Sequence, residues 1–326
     1  MVEEPDRTQE SKESPAAPVD WPRRLRRWTI LYVVVPYLAV TLVFAALQRQ
    51  LLYPAKTVAA IQPEDARLPA GQVHATVAVA SDGLSLNGWL ILAEGQSADS
   101  PSACDAQLAA GRPLILCFPG NSGNRLERVT DCRDFTAADC DVILFDYRGY
   151  GDNAGHPSER ALSADARVVW NYVTQDRQVS PERVILFGES LGGAVATRLA
   201  SELARDGIEP AGLILSSTFS SMSDVVAWHY PYLPLWCLLL DRYPSSDRIA
   251  EVTCPVIVLH GKRDDFVPIE FGRKLFAQAP GKSASGMEKR FIELGREGHN
   301  DVPRHLLREA VFALARPNDV VNTDTK

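Results

Sequence analysis

Apolar and polar positions alternate in three different ways along this chain of 326 residues. Met1 to Asp20 carry many Glu, Asp, Ser, Pro and Gln with no apolar periodicity, so too little surface can be buried to offset chain entropy, and a disordered tail is expected over 1–20. Trp21-Pro-Arg-Arg-Leu-Arg-Arg27 follows, and then an uncharged run from Trp28 to Leu47, about 20 residues, the length at which a helix crosses a bilayer. The run has no polar face and exceeds a signal peptide's apolar core, and Phe44-Ala-Ala-Leu-Gln is a poor cleavage site. A membrane anchor over 21–50 is therefore expected. Pro36 is tolerable in lipid, where neighbouring groups re-satisfy the freed carbonyl.

From Gln72 the pattern becomes short β-rich segments. Val73 to Ala80 and Leu84 to Leu92, joined through Ser81-Asp82-Gly83, predict a hairpin at the antiparallel edge of a sheet. Glu94 to Arg112, rich in Ser, Ala, Asp and Gly, reads as a surface insertion. Strands then alternate with helices: Pro113–Phe118, a helix near Arg125–Ala138, Asp141–Phe145, a helix near Glu159–Thr174, and an apolar strand from Arg183 running into a helix. The alternation continues with Gly212–Ser216, Pro255–His260, a helix from Ile269 to Gln278, Lys289–Leu294 and a last helix near Val302–Ala315. This is the pattern of a mostly parallel eight-stranded sheet with helices on both faces, in an α/β domain over 51–316. A site in such a sheet lies beyond the carboxyl ends of its strands. A second disordered tail is expected over 317–326, and a short lid-like insert over 218–253.

Composition narrows the picture. The length suits one sizeable α/β domain and little more. A net charge of -7, with no Lys/Arg stripe in the folded part, argues against a nucleic-acid partner. Cys104, Cys117, Cys132, Cys140, Cys237 and Cys254 form no C-x-x-C pair and no zinc-ligand spacing, so neither a disulfide framework nor a metal is expected.

The chemistry gathers around Gly188-Glu-Ser190-Leu-Gly192, a G-x-S-x-G between an apolar strand and a small-residue helix. Such a nucleophile elbow turns strand into helix so tightly that the serine takes a strained backbone conformation and presents its hydroxyl outward. Gly188 and Gly192 keep strand and helix free of Cβ clashes. A serine nucleophile needs a base to take its proton and an acid to hold the base's tautomer. Gly261-Lys-Arg-Asp-Asp-Phe-Val-Pro268 puts carboxylates past a strand end; Asp264 is the expected acid and Asp265 the fallback. Gly295-Arg-Glu-Gly-His-Asn-Asp301 supplies His299 as base after the next strand. His74, His156, His229, His260 and His305 fit that role less well by position. The backbone N–H of Leu191 and one from Phe118-Pro-Gly-Asn-Ser-Gly-Asn124, taken to be that of Asn121, would form the oxyanion hole.

Joined, these motifs resemble the α/β-hydrolase superfamily of serine hydrolases, in particular an N-terminally membrane-anchored subgroup whose relatives include acyl-protein thioesterases. Gln50-Leu-Leu-Tyr-Pro, Phe118-Pro-Gly-Asn-Ser-Gly-Asn, Phe145-Asp-Tyr-Arg-Gly-Tyr-Gly, Gly188-Glu-Ser-Leu-Gly-Gly, His260-Gly-x-x-Asp264 and Gly298-His-Asn carry the resemblance, from about Trp28 to Arg316. It implies cleavage of an ester or thioester of an acyl substrate through an acyl-enzyme, with no cofactor. Pro119 stands where relatives usually carry His, and Asn153 where Ser is common. Trp228 to Leu240 falls where the superfamily inserts lids; its aromatics either line an acyl pocket or pack a short helix onto the sheet.

Rival readings are weaker. Gly149-Tyr-Gly-Asp-Asn-Ala154 mimics a dinucleotide loop, but the following strand runs into the elbow where an acidic ribose partner should stand. Gly281-Lys-Ser283 lacks the first glycine of a P-loop, since position 276 is Phe. A serine peptidase with the same machinery and a catalytically silent, membrane-tethered binding module are the alternatives. Arg23, Arg24, Arg26 and Arg27 before the apolar run, against Arg49 and Lys56 after it, orient the domain to the non-cytoplasmic side.

Overall fold

The computed structural model describes residues 21–315, and the tails expected over 1–20 and 317–326 lie outside the described residues. The chain divides into two compact units, Met1–Phe44 and Ala45–Lys326.

In the first, helix α1 (Trp21–Thr29) runs through a π-turn at Ile30–Val34 into α2 (Val35–Leu52), whose last turns belong to the second unit. The wide turn precedes Pro36, which has no N–H to give and whose ring crowds the carbonyl four residues back; widening the helix accommodates both. Trp21–Leu52 is, among the described residues, one helix long and apolar enough to cross a membrane. Its side chains from Trp28 to Val43 are mostly exposed, unlike those of a core helix in a soluble domain.

The second unit is built on one eight-stranded sheet. Its strands are β1 (Val73–Val79), β2 (Ser85–Ile91), β3 (Leu114–Phe118), β4 (Asp141–Phe145), β5 (Val184–Glu189), β6 (Gly212–Ser216), β7 (Val256–Gly261) and β8 (Arg290–Leu294). They lie in the order β1-β2-β4-β3-β5-β6-β7-β8. β2 pairs antiparallel with β1 and β4, and every other pair is parallel. β3, β4, β6 and β7 are buried throughout, as strands covered on both faces must be. β8 closes one edge.

The helices are α3 (Pro101–Ala109), α4 (Arg125–Thr136), α5 (Glu159–Asn171), α6 (Leu191–Arg205), α7 (Met222–His229), α8 (Leu235–Leu238), α9 (Ser245–Ile249), α10 (Ile269–Gln278) and α11 (Arg304–Ala315). Alternate strand residues serve opposite faces. Leu114, Leu116 and Leu186 join a core with Leu162, Val195, Leu199 and Leu275 of α5, α6 and α10. Ile115, Cys117, Ile185 and Phe187 join one with Val129, Phe135, Val311 and Leu314 of α4 and α11. None of the six cysteines is in a disulfide, and only Cys237 is exposed.

Glu94 to Arg112 departs from its expectation as a plain surface insertion. It contains α3, capped by Ser100, whose hydroxyl accepts the Ala103 N–H, and buries Cys104 and Leu108. Polar flanks hid a one-sided helix whose apolar pair at i, i+4 was the available signal. The helix from Glu159 stays α-helical only to Asn171 and ends in a π-turn at Tyr172–Asp176.

One buried ionic cluster fixes the loops above the sheet. The Arg125 guanidinium, 3% exposed, donates to Asp146, Asp152 and the Ile61 carbonyl and lies over the Trp89 ring. It thereby ties the stretch after α2 to the Phe145-Asp-Tyr-Arg-Gly-Tyr-Gly loop. Asn153 completes the brace, accepting the Asn87 N–H and donating to the Asp146 carbonyl.

Candidate active site

The strand β5 ends and α6 begins within one residue, Ser190, which stands at φ 51° and ψ −116°. A non-glycine residue holds such a conformation only when its surroundings over-determine it. They do so here through three bonds: Ser190 N–H donates to Ser216 O at 2.9 Å, Gly193 N–H to Ser190 O at 3.0 Å, and the Thr218 hydroxyl to the same carbonyl at 2.7 Å. Close approach explains the glycines. A Cβ on Gly188 would meet Gly192 O at 2.5 Å, as expected of strand against helix. A Cβ on Gly192 would meet a different element, the Phe118 carbonyl at the end of β3, at 2.0 Å.

Beyond the carboxyl ends of β5, β7 and β8 three side chains converge. His299 Nε2 lies 3.1 Å from Ser190 Oγ, and His299 Nδ1 lies 2.7 Å from Asp264 Oδ2. Asp264 is buried in the turn after β7, where its Oδ1 accepts the N–H groups of Phe266 and Val267. Asp265, the fallback carboxylate, is exposed. Burial opposes ionisation of Asp264, but bonds from His260, His299 and the Val267 N–H outweigh it and bring the carboxyl down to about 2. Phe266 packs its ring 5.0 Å from that of His299.

Position along the chain gave His260 no part in this site, yet the structure puts it there. It is fully buried, its Nε2 lies 2.8 Å from Val267 O and 3.3 Å from Asp264 Oδ2, and its Nδ1 has no hydrogen-bond partner among the described residues. A carbonyl only accepts, so Nε2 carries the proton. The signal was present: His260 stands four residues before Asp264 across a tight turn.

The loop after β3 faces the elbow. A Cβ on Gly120 would lie 3.7 Å from that of Ser190. The Tyr147 hydroxyl donates to Pro119 O and that of Tyr150 to Asn121 O, each at 2.9 Å, so two tyrosines of one motif hold the loop of another. Arg128 joins the two halves of this region, donating to Ser122 O and to the Glu189 carboxylate next to Ser190. The N–H groups of Asn121 and Leu191, the expected oxyanion donors, take no backbone or side-chain acceptor among the described residues.

The segment between β6 and β7 carries α7, α8 and α9. Trp228 meets Phe271 of α10 edge-on at 6.4 Å, the helix-packing alternative, while remaining 59% exposed. Tyr232, Trp236 and Leu240 are exposed as well, and His229 Nε2 lies 2.9 Å from Phe266 O beside His299.

An α/β hydrolase from Vibrio vulnificus has a similar structure, with a TM-score of 0.58 and 19% identity over 74% of this chain and 80% of that one. The family model for serine aminopeptidase, S33, matches residues 115–246. In sequence the chain is 37% identical over 262 residues to uncharacterized protein MT2364 of Mycobacterium tuberculosis, covering 80% of this chain and 83% of the relative. The chain belongs to the α/β-hydrolase superfamily. Within it this hydrolase is 32% identical over 232 residues to lysophosphatidylserine lipase ABHD12 of Danio rerio, covering 65% of the chain and 60% of the lipase. It is a serine hydrolase of the esterase class.

Proposed function

We propose that this hydrolase is held on a membrane by its N-terminal helix and cleaves an ester or thioester of a lipid-borne acyl chain, with Ser190 as nucleophile, His299 as base and Asp264 as its orienting acid. The observation that carries the reading is the continuous hydrogen-bonded series from Ser190 Oγ through His299 to Asp264 at a strained elbow.

Ser190 Oγ attacks the acyl carbonyl as His299 Nε2 takes its proton, and the carbonyl oxygen becomes an oxyanion facing the N–H groups of Leu191 and Asn121. Collapse of the tetrahedral adduct breaks the bond to the alcohol or thiol, which leaves with the proton His299 returns. Water, deprotonated by the same imidazole, then attacks the acyl-serine, and as the bond to Ser190 Oγ breaks His299 returns the proton to that oxygen and the acid is released. Asp264, ionised throughout the working pH range, keeps His299 Nδ1 protonated and stabilises the imidazolium.

An apolar lipid substrate is favoured by the exposed Trp228, Tyr232, Trp236 and Leu240, since Trp and Tyr suit the membrane–water interface, and by the lipase among the relatives. The alternative, a serine peptidase, has the serine aminopeptidase family model in its favour. A fluorophosphonate probe should label wild type at Ser190 and spare Ser190→Ala; an unlabelled wild type would mean a silent binding module. Assaying acyl ester, acyl thioester and aminoacyl amide side by side then decides the leaving group, amide preference marking the peptidase. Arg23, Arg24, Arg26 and Arg27 ahead of the apolar run, against Arg49 and Lys56 after it, favour a domain on the non-cytoplasmic side. Protease added to that face of sealed vesicles should digest the domain, and full protection would reverse the orientation.

A further inference from the structure

The carbonyls of a helix's last turn have no partners within the helix. Leu52 ends α2, and its carbonyl accepts a hydrogen bond from Asn121 Nδ2 at 2.9 Å, across 69 residues of sequence. Because a carbonyl only accepts, the amide nitrogen must face it, and the negative end of the helix favours that donor. The peptide unit bearing the Asn121 N–H lies between two pinned carbonyls, Pro119 O and Asn121 O, held by Tyr147 and Tyr150. The side chain of Asn121 is a third hold on the same unit, and the only one that reaches α2.

The helix end is itself tied down within the second unit. Arg49 pairs with Asp241 at 2.9 Å, and that carboxylate also accepts the N–H of Glu159 at the start of α5. Gln48 Oε1 accepts the Leu240 N–H at 2.7 Å, and the hydroxyls of Tyr53 and Tyr243 meet at 2.7 Å in a buried contact. A line of contacts therefore runs from the insert through residues 48–53 to the loop beside Ser190.

We propose that Asn121 is a positioning residue whose side chain, seated on the Leu52 carbonyl, sets its own backbone N–H at the oxyanion position, so that the last turn of the N-terminal helix belongs to the catalytic framework. The inference rests on the serine-hydrolase reading above. A residue with a side-chain amide donor beside its backbone N–H also accounts for Asn here, since Gly, Ala or Ser would keep the N–H and lose the reach to Leu52. Displacing an oxyanion donor weakens transition-state binding and leaves ground-state binding nearly intact.

The test uses the full-length protein in detergent micelles, with the competent fraction counted by fluorophosphonate titration. Asn121→Ala keeps the N–H and removes the seat, and should lower kcat by about 10- to 100-fold with KM within about twofold. Inhibition by an acyl trifluoromethyl ketone, which forms a tetrahedral oxyanion on Ser190, should weaken by the same factor as kcat, a correspondence that a merely structural residue would not produce. Arg49→Met, which loosens the helix end, should lower kcat in the wild-type background and have no further effect in Asn121→Ala. Wild-type kcat in Asn121→Ala, or fully additive effects of the two substitutions, would overturn the proposal. If Asn121→Ala does not fold, Arg49→Met decides alone: parallel losses in kcat and ketone affinity support the coupling, and unchanged values refute it. Ser190→Ala separates the layers, because turnover surviving that change defeats the serine reading itself, whereas its loss beside a normal Asn121→Ala defeats only this inference.

Discussion

His260 and His299 meet at a single oxygen: both imidazoles approach Asp264 Oδ2, from 3.3 Å and 2.7 Å. His299 also reaches Ser190, whereas His260 is fully buried, so Asp264 has a second imidazole partner that takes no part in the contact with Ser190. Gly272 permits this, since a Cβ there would stand 2.3 Å from His260 Nδ1.

The first prediction concerns acid stability. The folded carboxyl of Asp264 titrates at about 2, below the roughly 3.9 of an unfolded aspartate. A depressed carboxyl contributes stability that is complete above the unfolded value and is lost as pH falls through the folded one. Urea melts in detergent should therefore lose midpoint between pH about 4 and about 2, and Asp264→Asn should flatten that slope. His260→Phe removes one stabilising donor and should narrow the same window; an unchanged slope in both variants would show that other carboxylates carry it.

A second prediction separates neighbours in sequence. Ser190→Ala and His299→Ala should each lower kcat by about 10⁶-fold, and Asp264→Asn by about 10⁴-fold through the wrong imidazole tautomer. Asp265→Asn should keep near-wild-type turnover because its carboxylate is exposed. Reversal of that ranking moves the acid by one residue.

Much of this architecture could be read from residues alone, and the shortfalls have physical causes. The elbow was legible because strand, G-x-S-x-G and small-residue helix agree locally, β3, β4, β6 and β7 because buried parallel strands are mainly apolar runs, and β1 and β2 because two β-rich segments flank a turn. Asp264 and His299 followed from chain order past strand ends. The spacing of His260 four residues before Asp264 was a signal, but whether the two meet depends on the turn that folds the chain back between them. Helix α3 was missed because its flanks resemble loop, and the partner of Gly192 because Phe118 is 74 positions away by numbering. The Asn121–Leu52 bond carries no local signal at all.

Gly192→Ala gives a third prediction. Its Cβ would press on backbone, the Phe118 carbonyl, with no flexible side chain to yield. A loss of more than about 4 kcal/mol is expected, with little folded protein recovered. Gly207→Ala, where nothing lies within 4 Å of the added Cβ, is the control and carries only the strain of its φ of 71°. Equal thermal midpoints for the two variants would contradict the close approach.

The fourth concerns the acyl chain. On the lipid-substrate reading, kcat/KM should rise with acyl length, by up to about tenfold per well-buried methylene. Phe266→Ala, which removes the ring beside His299, should reduce that gain more than it reduces turnover of the shortest ester. A flat or falling series would refute an apolar acyl site.

β8 lies at the edge of the sheet and pairs with β7 alone, and the histidine of the site hangs from the loop just beyond it. A ribosome delivers this chain amino end first, and a domain generally folds as a unit. Ser190 and Asp264 are thus made before His299, which follows β8 in the chain and comes to the site as that strand pairs with β7. On the triad proposed above, the nascent chain has no base for Ser190 until β8 and the loop beyond it are in place.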